Sequence, residues 1–425
     1  MGPGGTHSTG ETRRAIEATF RIERARLIAG LARMVRSVDL AEERAQDALV
    51  TALAEWPGGG IPANPGAWLM AVAKRRAIDT IRRDTMMTRK HDEIAQTLEE
   101  ADEDAAEAIE RAIDDDLGDE LLGLIFTACH PMLSRDARAA LTLRVVGGLT
   151  TDEIARAFLS SEATIAQRIV RAKKAIAKAG LAFEVPRGAE RATRLPSVLE
   201  VIYLVFNEGY AATAGDDLVR PGLCMEAQRL GRMLAGLMPE EAEVLGLLAL
   251  MEIQASRLGA RAGPDGSFIP LTEQDRARWD QLLIRRGLDA LARAEAIDGG
   301  GPYALQAALA ACHARARRAG DTDWVRIAAL YDRLRGVMPS PVVDLNRAIA
   351  HSMAFGPGAG LRLLDAVAGD EALAGYAPLP AARGDFLFRA GRLAEARAEF
   401  ETAAGLTRNG REAAFLLARA KACGQ

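Results

Sequence analysis

The chain has 425 residues, 49% hydrophobic and 26% charged, with a formal net charge of −4. That length calls for about two to four domains with buried cores, and the near-neutral total excludes binding of polyanions through overall charge. The four cysteines, Cys129, Cys224, Cys312 and Cys423, are far apart with no C-x-x-C pair, which excludes a zinc ribbon or a disulfide framework and fits a reduced, cytoplasmic setting.

Residues 1–12 are polar and Gly-rich; they read as a disordered tail with no apolar signal-peptide core. No run approaches the length of an uncharged membrane span, so no membrane partner is expected. Residues 13–56, nearly free of Gly and Pro, read as two helices, broken at Pro57-Gly58-Gly59-Gly60-Ile61-Pro62. A third helix spans about 66–83. Leu69, Ala73, Ala77 and Ile81, four apart, form its apolar ridge, and Arg75, Asp79, Arg82 and Arg83 gather on another face with Lys74 next to them. Residues 65–90 carry seven basic and two acidic side chains, whereas 91–120 carry fourteen acidic ones and one Arg. The acidic stretch 91–116, poor in large apolar residues, is a linker.

A compact helical set follows, from about 117 to 182. Thr150-Thr151-Asp152-Glu153 is a capping box that opens a short helix, and Ser161 can cap a second one after a turn at Leu159-Ser160. In the second helix Ile165, Ile169, Ala172 and Ile176 make a buried stripe, while Glu162, Thr164, Gln167, Arg168 and Arg171 project elsewhere. This is a helix-turn-helix layout, whose second helix reads bases in the major groove. Gln and Arg can pair bidentately with base edges.

From about 190 to 425 the chain is again helical, with no strand alternation of useful length. Near its end Gly384, Leu387, Gly391, Ala396, Phe400 and Ala403 fall at the spacing of a tetratricopeptide helix pair, and Ala348, His351, Gly360, Leu364 and Val367 form a weaker copy.

Three segments together carry a resemblance. Asp39-Leu-Ala-Glu-Glu-Arg-Ala-Gln-Asp-Ala-Leu-Val with Trp56, the basic helix at 66–83 and the helix-turn-helix at 149–174 are similar, in order and separation, to extracytoplasmic-function sigma factors of RNA polymerase. Phe126-Thr-Ala-Cys-His-Pro, Phe206-Asn-Glu-Gly-Tyr and Gly301-Pro-Tyr-Ala-Leu-Gln look like the subgroup with a long tetratricopeptide-like C-terminal extension.

The resemblance implies an all-α protein: region 2 at 13–90, the linker at 91–116, region 4 at 117–182 and a regulatory helical-repeat extension at 190–425. It implies that Asp39, Glu42, Glu43, Gln46 and Asp47 face the clamp helices of the polymerase largest subunit. Asn64, Trp68, Lys74, Arg75, Arg76, Arg82 and Arg83 would contact the minus-ten element, with Trp68 packing between helices rather than stacking a base. Ser161, Glu162, Thr164, Gln167, Arg168 and Arg171 would serve the minus-thirty-five element, beside the flap region of the second-largest subunit. Core RNA polymerase, promoter DNA and a regulatory protein on the C-terminal repeats are the implied partners.

No enzyme is expected. Neither Cys129-His130 nor Cys312-His313 has metal-ligand spacing, Asp298-Gly-Gly-Gly-Pro lacks the Lys and Ser/Thr of a phosphate loop, and no nucleophile–base pair stands out. No cofactor or metal is implied. A stand-alone helix-turn-helix regulator and a repeat scaffold are the competing classes; each leaves part of the N-terminal half unexplained.

Overall fold

The computed structural model describes residues 9–89, 117–158, 160–210, 221–261, 263, 269–407 and 410–424. The acidic linker at 91–116 therefore lies outside the described residues. Among these residues the secondary structure is helical, with no strand. The chain divides into two compact units, Met1–Ile202 and Tyr203–Gln425.

In the first unit α1 (Thr9–Val35) begins inside the stretch expected to be a tail, and packs against α2 (Val38–Gly59), α3 (Pro65–Arg89) and α4 (Leu117–Ala128). Its apolar stripe, Ile16, Phe20, Leu27, Ile28 and Leu31, is buried. Helix α2 buries Ala41, Ala45, Ala48, Ala52 and Trp56; the small side chains let its neighbours approach closely. Ser37 caps it, its hydroxyl accepting from the Leu40 amide at 3.3 Å. Asn64 Oδ1 closes the first turn of α3 by accepting from the Ala67 amide at 3.1 Å, and Pro65 supplies a helical φ where no N–H is needed. Leu69, Ala73 and Ala77 are fully buried, but Ile81, the fourth residue of the expected ridge, is 40% exposed. Among the described residues the buried part of the ridge ends at Ala77.

Helix α4 is buried on most faces through Leu121, Leu122, Leu124, Ile125 and Phe126. On it packs α5 (Arg135–Val145), which in turn carries α6 (Thr151–Ala157) and α7 (Glu162–Lys178), and α8 (Gly188–Tyr210) follows. The capping box at Thr150 is reciprocal: its hydroxyl accepts from the Glu153 amide at 3.1 Å, and Glu153 Oε2 accepts from the Thr150 amide at 2.7 Å. Thr150→Ala is expected to lower the stability of this half by about 1 kcal/mol, read as a lower denaturant midpoint at unchanged slope. Ser197 of α8 donates to the Cys129 carbonyl at 2.5 Å and Arg194 to the Phe126 carbonyl at 2.9 Å. The first half of α8 thus packs on α4, and the first unit runs beyond residue 190, where the extension was expected to start.

The second unit continues through α9 (Pro221–Leu237), α10 (Ala242–Ala255), α11 (Gln281–Asp298), α12 (Pro302–Arg315), α13 (Trp324–Val337), α14 (Pro341–Phe355), α15 (Pro357–Asp365), α16 (Pro378–Arg389), α17 (Leu393–Leu406) and α18 (Gly410–Ala422). Helix α10 is buried nearly all round and packs against α9, α11 and α12. Its buried charge, Glu252, pairs with Arg232 Nε at 2.7 Å, as burial requires. From α13 on, consecutive helices pack on one another. Leu387, Ala396, Phe400 and Ala403 share one core cluster. At Gly384 the Phe400 ring would stand 2.9 Å from an added Cβ, so the position admits no side chain without displacement of the ring. Gly391 turns α16 into α17 with φ of 77°.

Candidate nucleic-acid interface

Helix α7 buries Ile165, Ile169, Ala172 and Ile176, as its spacing predicts. The opposite face starts with Glu162, Thr164, Gln167 and Arg171, all exposed. Ser161 is occupied with capping: its hydroxyl accepts from the Thr164 amide at 3.2 Å and shares a hydrogen with the Thr164 hydroxyl at 2.7 Å. Arg168 lies 3.3 Å from Asp136 of α5. Arg171 and Gln167 have no hydrogen bond or ion pair among the described residues, so their donors are available to an incoming base or phosphate.

On α3, Arg75 and Arg82 are exposed and Lys74 half-buried; the Arg83 side chain lies outside the described residues. Arg76 turns back to α2. Its Nη2 donates to Thr51 Oγ1 at 2.8 Å and its Nη1 stands 3.8 Å from Asp47. Asp47 also takes Arg44 Nη1 at 2.7 Å. Asn64 serves the helix start. Trp68 packs edge-on to Trp56, ring centroids 5.1 Å apart, the interhelical role expected of it. Among the described residues Arg75, Arg76 and Arg82 are the exposed cations of α3, and Arg76 joins α3 to α2.

The acidic face of α2 divides as well. Gln46 and Glu43 are exposed, Glu43 beside Arg44 at 2.5 Å. Glu42 is only 13% exposed and sits among three cations: Arg24 Nη2 at 2.5 Å, Lys173 Nζ at 2.5 Å and Arg144 Nε at 3.3 Å. Lys173 also reaches Asp39 at 2.8 Å, and Arg24 donates to the Arg144 carbonyl at 2.7 Å. Burial pushes the Arg24 guanidinium below its ordinary range, and Glu42 opposes that shift. The structure therefore joins the 39–47 face to α5 and α7 through Arg24, Arg144 and Lys173. None of these three stood out in the sequence. Lys173 was one more charge on a basic helix, and pairs separated by 134 residues leave no local pattern.

Among the described residues no group of three or more His, Cys, Asp or Glu side chains is placed so that it could hold a metal ion. The Cys129 thiol is pushed up to about 11 by burial, and His130 Nδ1 accepts from the Met132 amide at 3.2 Å. Among the described residues no helix is long and apolar enough to cross a membrane.

Comparison with known proteins assigns these helices. Residues 20–86 match Sigma-70 region 2 and residues 124–176 match Sigma-70, region 4. Residues 194–295 match a family of unknown function, DUF6596. The chain is 42% identical over 393 residues to the uncharacterized protein R00370 of Rhizobium meliloti (strain 1021), the alignment covering 92% of each chain. Region 2 falls on α1–α3, region 4 falls on the helices that present the α7 face, and the two occur in one chain in that order: the chain belongs to the sigma factors, the transcription initiation factors that join RNA polymerase and direct it to promoters.

Proposed function

We propose that this protein is a sigma factor of the extracytoplasmic-function type whose C-terminal helical extension, with tetratricopeptide-like pairs at its end, regulates it. Gln167 and Arg171 of α7 read the upstream element, with Arg168 joining them once it leaves Asp136. Arg75 and Arg82 of α3, with Lys74, grip the opened minus-ten region. The 39–47 face of α2 docks on the basic clamp helices of core polymerase, and region 4 docks on the flap of the second-largest subunit. A regulatory protein on the C-terminal repeats is a further partner.

The observation that carries this reading is the occurrence, in one chain, of exposed arginines on α3 (Arg75, Arg82) and on α7 (Arg171) together with an acidic α2 face. The same geometry supports a resting state. Lys173 and Arg144 occupy Asp39 and Glu42, so region 4 covers part of the surface assigned to the clamp, and these ion pairs must open before core polymerase binds.

Footprinting of promoter DNA tests the reading. The protein alone leaves no specific footprint, whereas with core polymerase it protects both promoter elements. A specific footprint by the protein alone, unchanged by core polymerase, would make it a stand-alone DNA-binding regulator instead.

A further inference from the structure

The second unit contains a cavity of about 450 Å³ walled by α10, α12, α13 and α14. Its size falls in the range of small-molecule sites, about 300–1,000 Å³. Tyr203, Trp324 and Tyr331 supply aromatic walls, and Gln254, Gln306 and Asn346 supply amides. Arg257 and His313 also line it, and among the described residues no carboxylate does.

Among the described residues, the cations around it make no ion pair with a carboxylate. Arg257 donates from Nε and Nη2 to Gln254 Oε1, at 3.3 and 2.8 Å, and stands over the Tyr210 ring at 5.2 Å. Arg261 lies over the other part of that aromatic site, 4.0 Å from the ring centroid. Arg276, behind the wall, donates to the carbonyls of His313 and Ala316 and to Thr322 Oγ1. All three guanidinium groups thus rest on neutral partners among the described residues. The carboxylate that most affects Arg276, Asp321, is itself held by Arg318 at 3.1 Å. Buried cations ordinarily come with a counter-charge, because removing them from water costs several kcal/mol each (roughly).

His313 reports the same field. Burial, with Arg257 and Arg276 beside it, pushes its imidazole from 6.5 down to about 4, and its Nδ1 is buried with no partner among the described residues. His313 is therefore neutral where unfolded histidine is charged. The unfolded state binds the extra proton, so stability falls as pH drops from about 6.5 to about 4. His313→Asn is expected to flatten the acid side of the thermal stability profile over that window; a profile unchanged in shape would contradict the assignment.

We propose that this cavity binds a small aromatic carboxylate, with its anionic group at Arg257 and its ring between Tyr203, Trp324 and Tyr331. Arg is suited to carboxylate through charge and planar donors, and the aromatic walls select a flat body. The site does not depend on the promoter reading, since binding is read directly on the protein.

Full-length protein is titrated by calorimetry and thermal melting with benzoate, 4-hydroxybenzoate and indole-3-carboxylate, and with benzamide as the uncharged counterpart. At least one acid is expected to saturate with a Kd below about 1 mM, and benzamide to bind at least about tenfold more weakly. Arg257→Met removes the cation and Ala310→Phe fills the cavity while leaving Arg257 in place; each is expected to weaken the acid by about tenfold or more. Circular dichroism and melting of the unliganded variants check folding, and if both variants fail that check the acid–amide comparison on the unaltered protein decides. Absence of saturation by every acid, equal binding of benzamide, or binding that survives both variants overturns the proposal. An acetylated peptide ending in a free phenylalanine carboxylate that binds where no small acid does also overturns it, in favour of a polypeptide terminus.

Discussion

Replacing Lys173 with methionine is expected to raise the affinity of the full-length protein for core RNA polymerase by about ten- to a hundredfold. Methionine keeps the apolar stem that packs on α7 and removes only the charge. Solvent-exposed ion pairs contribute below about 1 kcal/mol, but this one is not freely solvated: the Lys173 side chain is 11% exposed and the Glu42 side chain 13%. Asp39, at 70% exposure, adds less. Loss of the shared cation leaves Glu42 with Arg24 and Arg144 alone, and opening of region 4 from region 2 becomes less costly. Titration of labelled protein with core polymerase, without DNA, measures the effect free of any phosphate contact by Lys173. Unchanged or weaker binding would mean that the Asp39–Glu42–Lys173 cluster does not compete with the polymerase.

The second large effect belongs to α7. Arg171→Ala and Gln167→Ala are each expected to lower initiation that depends on the upstream element by about 1–3 kcal/mol, the worth of a good bidentate base contact. Polymerase affinity should not change. Arg168→Ala should cost less, because Arg168 must first leave Asp136, 3.3 Å away; Asp136→Ala should accordingly strengthen binding. Transcription from a template with its upstream element scrambled provides the comparison. An Arg171→Ala protein that still distinguishes the two templates as the unaltered protein does would remove α7 from promoter reading.

Local chemistry made much of the fold legible. Thr150 and Ser161 cap helices because a hydroxyl before an apolar periodic run satisfies orphan amides within three residues, and both the donor and the reason are local. The buried stripe of α7 follows from spacing alone. The repeat marks at Gly384, Ala396 and Phe400 mark a close helix pair because a missing side chain and a ring must coincide. Ile81 went the other way: periodicity continues the stripe to it, yet it is 40% exposed, because spacing alone does not state how far along a helix burial extends.

The candidate site was legible by residue type but not by availability. Arg76 belongs to the basic run of α3 by sequence, yet its guanidinium joins Thr51 and Asp47. Glu42 belongs to an acidic helix face, yet it is held by cations from three other helices or helix ends. Such assignments depend on contacts between helices that have no local pattern in the sequence, from Arg24–Glu42, 18 residues apart, to Lys173–Asp39, 134 apart. The arginine-rich cavity of the second unit was invisible for the same reason, since Arg257, Arg276 and His313 meet only after α10, α12 and the segment before α11 have packed.

The central claim is tested most directly by run-off transcription with purified core polymerase, the full-length protein and promoter-bearing DNA from its own genome. The account predicts discrete transcripts that require this protein and disappear when the upstream or minus-ten element is replaced. Core polymerase that yields the same products with and without the protein would contradict it.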